Sequence, residues 1–362
     1  MNKAEFGLDQ LKATDVQEFV TVYEPAISGD IEKLKQIILQ NRDFFLAKIA
    51  ERGVILFRGW GHPSDTDFRY LVHECMGMTP WNGFNLRNTP GFIASWLRQY
   101  SEGLVGGGDY RRYIDNNTVQ LGPAGNSIQG PHTEGAVRPE RSRYLTLCCF
   151  EPAPVRGETG MVDFNTVYKA LPEEMRQKYD RAWNHFSYRT ARKPTLFDRI
   201  VVRFSPMASK RREDGHLDMV VEPSPLVVRV PENDLPCLQP WAFARNTNGP
   251  AFEAAKAVFS HRCELRPDHT AQNMDLTWTL TDETGAPMEW TEEEQKQLFE
   301  TTYRKAQLMN WQKGDIAFVD NVRVGHWRMD GEQGNRKIVQ IQTTSFDASG
   351  FAQTPAAGAQ NV

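Results

Sequence analysis

Apolar residues at Ile31, Leu34, Ile37, Ile38, Phe44, Phe45 and Ala47 recur mostly at helical intervals, and the run stops at Gly53. That spacing predicts one amphipathic helix ending at the glycine. "GVILFRGW" then reads as a short buried strand, and "SDTDFRYLVHECMG" as a second helix opened by a capping serine. The stretch "RSRYLTLCCFEP" (141–152) is apolar on both alternating faces and rich in β-formers, which predicts a central strand covered on both sides. "VRGETGMVDF" follows as a turn and a strand, and a helix begins near Thr166.

From about 185 to 285 the text changes to prolines and short strand-like pieces such as "VVEPSPLVVRV", with no long helical pattern. This predicts an insertion or lid on a β framework. "TEEEQKQLFETTYRKAQLMNW" (291–311) returns to a helix with an acidic first turn, the arrangement that suits the helix dipole. The segment from Lys313 to Phe346 predicts two strands around a turn, and the last dozen residues a loose tail. Together these elements predict a mainly β fold, a sandwich or barrel with flanking helices. It forms one domain over 1–350 with an insertion at 185–285 and a flexible tail at 351–362.

Composition narrows the function. A net charge of -4 over 362 residues gives no electrostatic reason to expect nucleic acid or an anionic membrane as partner. The basic run Lys210, Arg211, Arg212 reads as a solvated loop. No stretch approaches the roughly 18 consecutive apolar residues of a membrane span, and the first thirty residues carry acids where a secretory signal would be apolar. The five cysteines are scattered without a CxxC pair, which fits reduced thiols of a cytoplasmic protein.

Among only eight histidines, His132 stands two residues before Glu134 in "GPHTEGA". In an extended segment, residues i and i+2 project to the same side, so one imidazole and one carboxylate would converge. His326, at a strand end in "DNVRVGHWR", could complete a set of two histidines and one carboxylate, the arrangement of non-haem Fe(II) oxygenases. A rival HxD pair exists at His216 and Asp218 in "GHLDM", and spacing alone does not decide between them.

The surrounding motifs do. "PHTEGAVRPERSRYLTLCCFEPAPVRGETGMVDFNTVYKALP" resembles the first half of the catalytic core of the taurine dioxygenase family of Fe(II)/2-oxoglutarate oxygenases. "DNVRVGHWR" and "GNRKIVQIQT" resemble its second half, and "GVILFRGW" is a weaker echo. The "HTE" and "GET" forms are similar to the subgroup containing clavaminate synthase and the aspartyl hydroxylase of syringomycin biosynthesis. Matching segments cover about 130–172 and 310–345. The resemblance implies a double-stranded β-helix, or jelly roll, and makes His132, Glu134 and His326 iron ligands. It further implies that Arg336 and Thr159 hold the distal carboxylate of 2-oxoglutarate. A guanidinium can grip a carboxylate through two parallel hydrogen bonds, which the neighbouring Lys337 cannot do as well.

Gln129 and Asn126 precede the HxE motif and could touch the co-substrate. Weaker candidates for the substrate wall are Arg328, Trp81, Phe84 and Arg87, while the Gly106–Gly108 run reads as a mobile turn because no Lys-Ser/Thr follows it. The implied reaction consumes 2-oxoglutarate and O2, releases succinate and CO2, and hydroxylates or desaturates a C–H bond. The substrate would be a small amino-acid-like or natural-product molecule, free or tethered to a carrier protein. Gln340 stands where taurine dioxygenase has a second arginine, so a sulfonate is not expected, and the Glu134 carboxylate argues against halogenation. Two other readings use the same residues: a zinc hydrolase with a metal-bound water, which leaves Arg336 and Thr159 without roles, and an inactive jelly-roll binding protein.

Overall fold

The computed structural model describes residues 7–81, 91–105, 111–114, 118–121, 127–203, 207–243, 249–262, 265 and 275–353. Two facing sheets carry the site. The larger is built from β1 (Leu11–Val16), β2 (Val20–Pro25), β3 (Val54–Phe57), β4 (Arg111–Tyr113), β5 (Thr118–Leu121) and β6 (Glu140–Glu151). The smaller contains β7 (Thr159–Asp163), β8 (Gln307–Met309) and β10 (Val324–Arg328); β9 (Ile316–Asp320) and β11 (Lys337–Asp347) complete the larger one. The order is β1-β2-β3-β9-β6-β11-β5-β4 in the large sheet and β8-β7-β10 in the small one. All pairs are antiparallel except β2 with β3.

Strand β6 lies inside the large sheet with both edges paired, and both its faces are covered, as its sequence predicts. Leu145, Leu147 and Cys149 turn inward and meet Met161, Trp311 and Ile338 in the core between the sheets. Cys148 turns outward against Ile37, Ile38, Phe45 and Ile49 of the flanking helices. The expected single helix from Ile31 is two, Ile31–Gln40 and Arg42–Arg52. Asn41 between them bends its own amide back onto the Ile37 carbonyl at 2.8 Å, so a side chain competes with the helical ladder and breaks it. At Ser64 the expected cap is present as a full capping box with Asp67. The C-terminal segment holds more than two strands, because Asp320 and the turn after it divide β9 from β10.

The segment after 182 builds a further sheet, ordered Ala208–Arg211, Leu217–Val220, Trp183–Arg189, Asp275–Thr281, Pro287–Met288. It also contains helices Leu196–Arg203 and Gly249–Val258, which the sequence pattern did not reveal. Phe186, Tyr188 and Leu276 of this sheet share one apolar core with Val162 and Trp327 of the small sheet and with Phe164, which opens the helix after β7. The start of the expected tail is held: Phe351 stacks on Phe346 at 5.1 Å, and the Gln353 amide donates to the Val227 carbonyl at 3.1 Å. The remainder, 354–362, lies outside the described residues.

Candidate metal centre

His132 sits in a short extended segment laid beside β10. Its main chain exchanges two hydrogen bonds with His326, N–H to carbonyl at 3.1 Å and 2.8 Å, so the two histidines are directly paired across strands. The other side of the segment meets the 241–243 stretch, where the Ala242 amide donates to the Pro131 carbonyl. Only glycine fits at 130: a Cβ there would lie 1.7 Å from the Ala242 carbonyl oxygen. The Gly130 carbonyl also lies 2.9 Å from Nδ1 of His132. A proton on Nδ1 satisfies that contact and leaves the Nε2 lone pair for a ligand.

Glu134 is fixed through its backbone. The Asn321 side chain accepts from the Glu134 amide at 2.8 Å and donates to its carbonyl and that of Ser142, both at 2.9 Å. Asn321 is itself held in a turn: Asp320 accepts from the amides of Val322 and Arg323 while taking an ion pair from Arg143. Gly135, at φ +78°, then turns the chain away from the site.

His132, Glu134 and His326 are all buried, at 2%, 7% and 8% exposure. Nε2 of each histidine stands 4.0 Å from Oε2 of Glu134, and the imidazole centroids are 4.6 Å apart. One ligand atom from each residue lies within 4.8 Å of the others, the one such cluster of three or more His, Cys, Asp or Glu among the described residues. The rival pair is not a site: His216 bonds the Thr190 carbonyl, and Asp218 pairs with Arg212.

The same cavity is lined by Gln129, Thr159, Arg328, Arg336 and Gln340, with Leu147 and Ile338 among its apolar walls. Thr159 and Arg328 are cross-strand partners of β7 and β10, on the face that also presents His326. Arg336 is 5% exposed, makes no ion pair among the described residues, and its Nε has no hydrogen-bond partner. Burial, with nearby Arg328 adding repulsion, pushes this guanidinium down to about 10. Lys337 points elsewhere, 4.6 Å over the Phe150 ring and 3.9 Å from Asp65.

Arg328 pairs with neither Asp320 nor Asp330. It donates to the Ser127 carbonyl at 3.1 Å and hydroxyl at 3.0 Å, while Asp330 takes Arg262. Trp81 does not line the cavity; its ring lies beneath the Arg138 guanidinium at 4.8 Å. Phe84, Arg87, Asn126 and the Gly106–Gly108 run lie outside the described residues. Trp241 and Phe243, overlooked in the sequence, flank His132 at 6.5 Å and 5.2 Å between ring centroids. Their only sequence signal was aromatic density in "PWAFARN".

The model of the "Taurine catabolism dioxygenase TauD, TfdA family" matches residues 15–342. The chain belongs to the TauD/TfdA family. As a TauD/TfdA member it is a 2-oxoglutarate-dependent dioxygenase, with iron as metal and 2-oxoglutarate as co-substrate. The residues present fit both groups: two imidazoles and a carboxylate converge on one point, and a buried guanidinium without an anion lines the same cavity.

Solved structures share the double-stranded β-helix of this TauD/TfdA chain. PvcB from Pseudomonas aeruginosa matches with a TM-score of 0.54 at 11% identity, covering 94% of each chain. A taurine dioxygenase from Burkholderia xenovorans matches with a TM-score of 0.52 at 13% identity, over 93% of this chain and 90% of that one. A second PvcB structure, described as an Fe, α-ketoglutarate dependent oxygenase from an isonitrile synthetic pathway, gives 0.52 at 12% identity over 94% of each. Among curated proteins no sequence matches this chain. Among the described residues no helix is long and apolar enough to cross a membrane.

Proposed function

We propose that His132, Glu134 and His326 hold Fe(II), that Arg336 and Thr159 hold the distal carboxylate of 2-oxoglutarate, and that the enzyme hydroxylates or desaturates an unactivated C–H bond. The observation that carries this reading is the convergence of the three ligand atoms beside the unpaired, buried Arg336. When bound, iron with 2-oxoglutarate and O2 supplies the oxidising power, and succinate and CO2 leave.

The chain's own residues bind and orient. Gly130 holds the His132 tautomer, Asn321 holds the Glu134 backbone, and the β10 pairing sets His326 opposite both. Arg336 supplies a fixed positive charge to the cavity wall, Thr159 a hydroxyl and Gln129 an amide. The apolar walls exclude water from the space between.

The substrate is a small amino-acid-like or natural-product intermediate, free or carrier-tethered, handled in the cytoplasm. The sheet and helices of 185–285 act as a specificity lid, supported by the placement of Trp241 and Phe243 against His132. Residues 1–350 then form one catalytic domain. The zinc-hydrolase alternative gains nothing from this geometry, because it gives Arg336 no task. The test is anaerobic addition of 2-oxoglutarate to the Fe(II)-loaded protein, followed by exposure to O2. A visible charge-transfer absorption and then succinate are expected; a colourless protein that forms no succinate would falsify the assignment.

A further inference from the structure

Thr159 does not stand alone in the cavity wall. The indole Nε1–H of Trp311 donates to its Oγ1 at 2.7 Å, a contact between residues 152 apart in sequence. Trp311 is 8% exposed and packs in the core between the two sheets beside Met309, whose backbone pairs with Thr159 across β8 and β7.

An indole nitrogen can only donate, whereas a threonine hydroxyl carries one proton and two acceptor lone pairs. Once Trp311 occupies one lone pair, one lone pair and the proton remain, and the hydroxyl rotor is confined to the orientations that keep the indole bond. No other hydrogen bond of the Thr159 side chain exists among the described residues, and the residue faces the cavity that Arg336 lines. Arg336, which lines the same cavity, is donor-only, so an anion that it holds meets the Thr159 hydroxyl through its proton.

Resting on the function proposed above, we infer that Trp311 is a positioning residue that orients the Thr159 hydroxyl with its proton free for the distal carboxylate. Trp311 touches neither metal nor co-substrate in this scheme and acts through Thr159. Without the indole, no partner sets the orientation of the hydroxyl, and it spends more of its time presenting a lone pair to an anion.

Binding titrations separate this role from simple packing. The Mn(II)-loaded protein is titrated with 2-oxoglutarate and with 2-oxovalerate, which keeps the keto acid end but lacks the distal carboxylate. The variants are Trp311→Phe, Thr159→Val and the double variant. Trp311→Phe is expected to weaken 2-oxoglutarate by roughly five- to tenfold, the worth of one hydrogen bond, and to leave 2-oxovalerate unchanged. In the Thr159→Val background the same change should add nothing. Equal losses for both keto acids, or a full Trp311→Phe effect without the threonine hydroxyl, would overturn the inference. Retained 2-oxovalerate binding reports that each variant has folded. Wild-type protein that binds neither keto acid overturns the function reading together with this inference; tight wild-type binding with an indifferent Trp311→Phe variant overturns the inference alone.

Discussion

Replacing Arg336 by methionine should make the ligand-free protein more stable while removing its response to 2-oxoglutarate. The guanidinium is buried, has no anionic partner, and is pushed down to about 10 from an ordinary value of about 12.5. At about 1.4 kcal/mol per pKa unit, keeping this charge in the empty cavity costs on the order of 3 kcal/mol. The group is a base with a lowered folded-state pKa. Its cost is therefore fully present at every pH below about 10 and is relieved only as pH rises above that. Methionine keeps much of the stem and removes the charge, so the melting temperature of the apo protein at pH 7 should rise. In wild type, 2-oxoglutarate at a hundredfold excess over Kd with Mn(II) present adds about 2.7 kcal/mol. In the variant a lost bidentate ionic contact weakens binding by roughly a hundredfold, and that increment nearly disappears. Differential scanning calorimetry with and without 2-oxoglutarate reads both effects. An apo variant that melts lower, together with an undiminished 2-oxoglutarate shift, would refute the electrostatic argument.

Other positions give independent checks. Glu134→Ala removes the single carboxylate of the cluster and should abolish both stoichiometric Fe(II) binding and succinate formation; full activity would contradict the ligand assignment. Asn321→Ala leaves all three ligands but cuts the clamp on the Glu134 backbone, and metal affinity measured by competition with a chelator should fall by roughly 10- to 100-fold. Gly130→Ala places a methyl 1.7 Å from the Ala242 carbonyl, so the His132 segment must shift, and metal binding should be lost even where circular dichroism still shows folded protein. Asp320→Ala removes the buried partner of Arg143 and leaves it only the half-exposed Glu232, costing up to about 3–5 kcal/mol in chemical denaturation.

The strands and the convergence of His132, Glu134 and His326 were legible where local pattern and local chemistry coincide. His132 and Glu134 could be paired from their i, i+2 spacing, and β6 could be placed inside a sheet because Leu145 to Phe150 is apolar on both faces. Legibility failed where a contact spans the chain or a side chain intervenes in the backbone. Asn41 looks like any polar position in a helix, yet its amide ends one. Arg328 lines the cavity as expected, but its guanidinium donates to Ser127, which no local pattern connects to it. Trp311 reaches Thr159 only because β8 pairs with β7. The helices Leu196–Arg203 and Gly249–Val258 escaped because each runs for only about two to three turns, too short for a period to stand out between prolines and strand-like pieces.

The hydrogen bonds from Asn321 to Glu134 join positions 187 apart. Closing so long a loop carries an entropic penalty that only the completed β core can offset. A chain still being synthesised thus owns two of its three donors early, but has no third until β10 has been inserted between its neighbours. On the proposed ligand assignment, iron capture becomes a late event, and the metal content of a preparation would report how many molecules have placed their last strands.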